Sequence, residues 1–206
     1  MTVTAPAPVS ATAVRTGTTT AGVRRTGMLV TAGALTWAAA MLTVGNNPAD
    51  SLGITISDLA ALPFQASLFA LVTTQLRTRA TGLSKAARGM LRVEYVLLSL
   101  ATLWTVVHGL FPATRDDAWL AVLDAFWPLS MLGMFIIGVK IAVAGRWRGA
   151  ARIWPLIAES WAIVTVPTLV LLGDPVAGWV GGGHLIVGYA LLGVILARRP
   201  ELTGAR

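Results

Sequence analysis

The sequence predicts an all-α integral membrane protein with six transmembrane helices. Of its 206 residues, 55% are hydrophobic and only 12% are charged, whereas a soluble domain carries roughly 25% charged residues. Six apolar runs are each close to the roughly 20 residues that a helix needs to cross a bilayer core. The basic residues cluster between these runs. Too few charged residues remain to coat a globule of this size, so a water-soluble single domain is excluded.

The apolar runs define the predicted spans. We place them at about 27–45, 56–76, 91–111, 118–145, 156–173 and 179–197. Only helices or closed barrels can cross lipid, and continuous apolar runs without two-residue alternation indicate helices. The fourth run is longer than a bilayer core requires, so we expect its helix to tilt or kink.

One membrane domain, residues 23–199, accounts for most of the chain. Residues 1–22 are rich in Thr, Ala and Pro with a single charge, Arg15, so we expect a disordered cytoplasmic tail because too little apolar surface offsets its conformational entropy. Residues 200–206 are expected to form a short cytoplasmic tail.

The loop charges predict the orientation. Fourteen of the 16 Lys and Arg residues precede the first run, follow the sixth, or lie between runs two and three or four and five, counting Arg92 at the very start of run three. The opposite side carries Arg115 as its one base, together with four acids: Asp50, Asp116, Asp117 and Asp174. By the positive-inside rule both termini are cytoplasmic, which gives three antiparallel hairpins.

Several function classes receive no support. The net charge of +7 would suggest nucleic acid in a soluble protein, but here its distribution reflects topology, so we expect no nucleic-acid partner. The chain has no cysteine, and no P-loop, G-x-G-x-x-G, H-E-x-x-H or G-x-S-x-G motif marks an enzyme. The lipid bilayer is the expected partner, and a homo-oligomer or a membrane partner stays open.

Ionisable residues within spans are costly in lipid and face the bundle interior by default. Glu94, Lys140 and Glu159 form a predicted inner layer, because Lys140 is equidistant from a loop centre with either glutamate. We interpret this layer as a structural ion pair that joins helices. The alternatives are a relay or coupling-ion site, or a lysine that extends to the interface.

A second layer lies towards the predicted outer face. His108 and Asp124 share a depth, since their midpoint, residue 116, falls in the loop between their helices. His184 and Asp58 are expected to join them in an outward-facing pocket. Pro63, Pro128 and Pro167 should each bend a helix on this side, while we interpret Trp37, Trp104, Trp127 and Trp161 as core residues rather than groups that stack on a cofactor.

A segment of the fourth run carries a resemblance. The stretch from Asp124 to Gly149, DAFWPLSMLGMFIIGVKIAVAGRWRG, is similar to uncharacterised multi-pass membrane proteins of actinobacteria, as are the preference for Arg over Lys and the Ala, Gly and Val bias. The resemblance implies a bacterial inner-membrane location. It assigns no functional residue.

Three functions remain open from the sequence. The first is a transporter- or channel-like protein that uses the His/Asp pocket, and the second is a structural or accessory membrane subunit without a ligand site. The third is a membrane metal or haem protein with His108 and His184 as ligands. We expect no cofactor for the first two, while the third keeps a haem or metal ion open.

Topology is testable with reporter fusions. Reporters placed after Gly45, Leu76, Phe111, Gly149, Asp174 and Arg206 should alternate between outside and inside, starting outside, because the basic loops stay in the cytoplasm. The activity of paired periplasmic and cytoplasmic reporters measures this. An external reporter after Arg206 would contradict the prediction.

Overall fold

The computed structural model describes residues 17–206, and within that range the chain is helical without a β-strand. Six helices are long and apolar enough to cross a membrane. They are α1 Thr20–Val44, α2 Ser51–Thr78, α3 Lys85–Leu110, α4 Ala118–Ala144, α5 Gly149–Leu172 and α6 Asp174–Arg198. Two short 3-10 turns follow α3 and α6, at Pro112–Thr114 and Pro200–Thr203. The predicted fold class is therefore confirmed as a six-helix, all-α chain compatible with a membrane.

The first three helices begin earlier than the apolar runs indicate. Thr19, Asp50 and Ser84 cap α1, α2 and α3 by accepting hydrogen bonds from backbone N–H groups three residues later, at 3.1, 2.8 and 3.0 Å. Capping marks the start of a helix, whereas an apolar run marks only its lipid-facing part. Of the expected 1–22 tail, residues 1–16 lie outside the described chain, and α1 already begins at Thr20.

Three of the helices are irregular. Helix α4 is interrupted at Ala125, between Ala118–Asp124 and Phe126–Ala144, and α5 at Ser160, between Gly149–Glu159 and Trp161–Leu172. Helix α6 contains a π-helical turn at Ile186–Ala190.

Only one of the three expected proline kinks adjoins an interruption. Pro128 lacks the N–H that would bond the Asp124 carbonyl, directly before Ala125. By contrast, α2 continues uninterrupted through Pro63, and Pro167 lies inside the regular segment Trp161–Leu172.

The helices form a ring. Each helix packs against its neighbours in sequence, and α6 packs against α1. The α1–α2 and α5–α6 loops meet where the Asn47 backbone N–H donates to Asp174, and Arg115 of the α3–α4 loop bonds Ser51 at the start of α2. We call this end of the bundle the Asp174 end. The opposite end, where the Arg148 N–H donates to the Leu202 carbonyl at 2.9 Å, is the Trp147 end.

Glycines bring α1 into backbone contact with its neighbours. A Cβ built on Gly193 of α6 would lie 2.5 Å from the Gly27 carbonyl oxygen, and one on Gly33 would lie 2.7 Å from the Pro63 carbonyl oxygen. Small residues allow such close approach between membrane helices. Backbone proximity therefore holds α1 against both α6 and α2.

Replacing one of these glycines tests the packing. Gly193→Ala should destabilise the protein by about 1–3 kcal/mol, since the added methyl group meets backbone atoms that cannot move away. Gly183→Ala in the same helix is the matched control, because no atom lies within 4 Å of its Cβ position. Thermal unfolding in detergent measures both, and equal midpoints for the two variants would contradict the expectation.

Candidate functional site

A cavity of about 490 Å³ lies at the Asp174 end of the bundle. It extends from the α1–α2 loop to a cluster of tryptophans, and α1 to α5 all contribute to its wall. The lining residues are Trp37, Asn46, Asn47, Pro48, Ile54, Ser57, Asp58, Ala61, Trp104, His108, Asp124, Trp127, Trp161, Val166 and Leu169. Three of the four predicted pocket residues, Asp58, His108 and Asp124, are among them.

The carboxylate that binds His108 is Asp58. The Nδ1–H of His108 donates to Asp58 Oδ2 at 2.7 Å, with the two side chains 19% and 13% exposed. The His108 ring also stacks on Trp104, with centroids 4.4 Å apart. The sequence analysis paired His108 with Asp124 instead. The sequence analysis placed two residues of adjacent helices at one depth when they are equidistant from the loop between those helices, which we call the depth rule. Applied to α2 and α3, this rule identifies the observed pair, because the midpoint of 58 and 108 is residue 83, in the loop that joins the two helices.

Asp124 contributes a second carboxylate to the cavity wall. It is the last residue of the first α4 segment, directly before the interruption at Ala125. Within the described chain its side chain accepts no hydrogen bond, and it is solvent-accessible. The cavity therefore holds one carboxylate engaged by His108 and one without a fixed partner.

Four tryptophans form most of the aromatic surface. The Trp37 ring lies at the centre of a cluster, with centroid distances of 5.6 Å to Trp127 and 5.1 Å to Trp161. Trp127 Nε1–H donates to Thr105 Oγ1 and Trp161 Nε1–H to the Gly181 carbonyl, both at 3.0 Å, which fixes these two rings. The sequence analysis interpreted all four tryptophans as core. The sequence did contain a signal that Trp104 and Trp127 lie at the same depth, since residues 104 and 127 are equidistant from the α3–α4 loop.

Arg115 fixes the α3–α4 loop over the start of α2. Its Nε–H donates to the His108 carbonyl at 2.8 Å, and its two terminal nitrogens donate to Ser51 Oγ and Thr55 Oγ1 at 2.9 and 2.8 Å. Within the described chain Arg115 forms no ion pair with a carboxylate. Its guanidinium therefore holds the backbone end of His108 in place without occupying the acidic side chains.

His184 lies outside the cavity, which corrects its expected membership. Its Nε2–H donates to the Ile157 carbonyl at 2.9 Å, and Ser160 Oγ donates to the same carbonyl at 2.8 Å. In a regular helix that carbonyl would accept a hydrogen bond from the Trp161 N–H. At the α5 interruption His184 and Ser160 provide the donors to it instead. His108 and His184, the ligands in the metal or haem alternative, therefore do not line a common cavity. In the described residues no group of three or more His, Cys, Asp or Glu side chains is placed to hold a metal ion.

The predicted ion pair at Lys140 is also absent. Among the described residues, ion pairs join His108 to Asp58 and Arg199 to Glu201, while Lys140 is exposed. Met134, Ile137 and Ile141 form part of the buried face of α4, and Lys140 lies outside that face. A lysine four residues before the end of a helix can extend to the interface, as the third interpretation allowed.

The two glutamates of that layer are buried in separate hydrogen-bonded pairs. Ser130 Oγ–H donates to Glu94 Oε1 at 2.6 Å, and Gln75 Nε2–H donates to Glu159 Oε1 at 3.2 Å. Their exposed fractions are 1% and 2%. These bonds connect α3 to α4 and α2 to α5, so the layer joins helices through neutral partners.

Comparisons with protein families, curated proteins and solved structures found no match for this chain. The fold and site together describe a six-helix, membrane-type bundle with an acidic, aromatic cavity at one end. Its chemistry follows from the cavity wall itself.

A double-mutant cycle tests which carboxylate holds His108. Asp58→Ala and His108→Ala should show a coupling of about 1.5–3 kcal/mol, the range for a hydrogen bond to a charged group. Asp124→Ala combined with His108→Ala should couple less strongly, since no hydrogen bond joins those side chains. Chemical unfolding in detergent gives the free energies, and a larger coupling to Asp124 would contradict the observed pairing.

Proposed function

We propose that the protein is a transporter-like membrane protein whose cavity binds a small organic cation. The observation that carries this proposal is the placement of Asp58 and Asp124 in one cavity walled by four tryptophans. Carboxylates attract a cation over distance, and ring faces attract it at contact. A site of this composition selects positive charge without requiring a metal ion.

The charge balance of the wall supports a cationic ligand. Its ionisable residues are Asp58, Asp124 and His108, and it contains neither lysine nor arginine. With His108 neutral and both carboxylates ionised, the two negative charges of the wall exceed the single positive charge of Arg115, whose guanidinium lies beside the cavity on Ser51 and Thr55. Its volume of about 490 Å³ falls within the roughly 300–1,000 Å³ of small-molecule sites.

The direction of access follows from the proposed topology. With both termini in the cytoplasm of a bacterial cell and the helices arranged as three antiparallel hairpins, the Asp174 end faces outside. The cavity is then open to the exterior. Interrupted helices surround the binding sites of many transporters, and α4 and α5 are interrupted beside this cavity, which supports transport over simple binding.

The cavity also separates this proposal from a packing subunit. A subunit that acts only through helix contacts has no use for a cavity, and the helices α1 to α5 enclose one that carries two carboxylates at the Asp174 end. The accessory role therefore remains a secondary alternative without a specific observation in its favour.

Cation binding is directly measurable. Tetramethylammonium should bind the protein in lipid nanodiscs, and Asp124→Asn should weaken that binding by about tenfold or more, since a nearby negative charge is lost. Isothermal titration calorimetry gives the affinities.

Asp116→Asn is the matched control at the same end of the bundle, because Asp116 is exposed and does not line the cavity. It should bind like the unmodified protein. No detectable binding, or equal losses in the two variants, would overturn the proposed function.

A further inference from the structure

A second cavity adjoins the first on the membrane-facing side of the bundle. This groove has a volume of about 460 Å³ and lies between α4 and α5. Its wall consists of apolar and tryptophan side chains, including Pro128, Leu132 and Ile163. Trp127, Trp161 and Val166 line both spaces, so the acidic cavity and the apolar groove share one wall.

The groove exists because α4 and α5 diverge towards the Asp174 end. Near the other end they pack closely, and a Cβ on Gly138 would lie 2.9 Å from the Leu156 Cα. Beyond the interruption at Ser160, the Trp161–Leu172 segment makes few contacts with α4. Helix α5 is interrupted where the two helices separate, at Ser160, and α4 is interrupted at Ala125, beyond the groove towards the Asp174 end.

The groove is suited to a hydrocarbon chain. About half of each side chain at its rim is exposed in the isolated protein: 54% of Leu132, 51% of Ile163 and 50% of Val166. Apolar side chains with such exposure face the lipid tails in a membrane. On the other side of Trp127 and Trp161 lie the carboxylates of Asp58 and Asp124. One molecule that reached both spaces would need a positive head and an apolar chain.

We propose that the ligand is an amphiphilic ammonium compound that enters laterally from the membrane. Its cationic head lies in the acidic cavity, and its alkyl chain passes between α4 and α5 into the groove. This inference rests on the proposed function, which supplies the cationic head, and it adds the ligand class and the route of entry. The amphipathic rings of Trp127 and Trp161 lie where the head and the chain of such a molecule meet.

Filling the groove should distinguish the contribution of the alkyl chain to the affinity from that of the cationic head. Ala162→Trp places a large side chain in the groove, and Leu132→Trp does so from the facing helix. Octyltrimethylammonium should bind each variant at least tenfold more weakly, because the inserted indole occupies the space of the alkyl chain and clashes with it while the head lies in the acidic cavity. Tetramethylammonium, which has no chain, should keep its affinity within twofold.

Ala39→Trp is the matched control, since Ala39 is exposed on α1 and lines neither space. It should bind both probes like the unmodified protein. Because the probes partition into the same membrane in each sample, a difference between this control and the groove variants reports binding to the protein. Calorimetry in nanodiscs measures all affinities, and a thermal unfolding midpoint close to that of the unmodified protein shows that a variant is folded.

The two proposals fail in different ways. Absence of Asp124-dependent tetramethylammonium binding overturns the cationic site itself. If that binding is present and both groove variants hold octyltrimethylammonium within twofold, or if every correctly folded variant loses the two probes equally, lateral entry is overturned. Should Ala162→Trp lose both probes through misfolding, the result for Leu132→Trp decides.

Discussion

The backbone contacts of α1 with α6 and α2 determine where the centre of the bundle lies. Lipid tails are as apolar as leucine side chains, so helices in a membrane associate through close packing more than through the hydrophobic effect. Gly27 and Gly193 provide that packing on one side, and Gly33 with Pro63 provides it on the other. Held between two neighbours, α1 directs Trp37 into the middle of the ring.

From that position Trp37 connects the two halves of the aromatic surface. Its ring stacks on Phe64 of α2 and contacts Trp127 and Trp161 of α4 and α5. The cavity thus begins where this cluster ends. The aromatic side chains of this cluster fill the interior of the bundle. The carboxylates of Asp58 and Asp124 lie between the cluster and the Asp174 end, and they are therefore accessible from that end.

The irregular segments obey the same physical requirement as the regular ones. In lipid each backbone carbonyl must find a donor within the protein. His184 donates to the Ile157 carbonyl, while Thr31 and Trp154 donate to the carbonyls of Ala190 and Val187 in the π-helical turn, both at 3.0 Å. His184, a candidate ligand in the sequence, therefore stabilises a helix irregularity, as Thr31 and Trp154 do.

Composition and apolar run length were sufficient to predict the six helices, because crossing a bilayer imposes both. Equal distances from the α3–α4 loop also placed His108 and Asp124 at one depth, and Asp58 was expected to join them. Because this comparison was made across one loop only, it paired His108 with Asp124 and missed Asp58 on the other neighbouring helix.

Helix rotation explains the remaining differences. Runs that are apolar all round carry little periodicity, and so the sequence did not show that Lys140 faces outwards or that four tryptophans converge on a cavity. The irregularities at Ser160 and Ile186–Ala190 depend on donors from other helices, which no local pattern reveals.

The interruption at Ser160 has a mechanical consequence. Trp161–Leu172 is a short rigid rod joined to the rest of α5 at one point, and its packing partner is chiefly the first segment of α6. Because Trp161 and Val166 line both spaces, a tilt of this segment about Ser160 would change the shapes of the acidic cavity and of the apolar groove together.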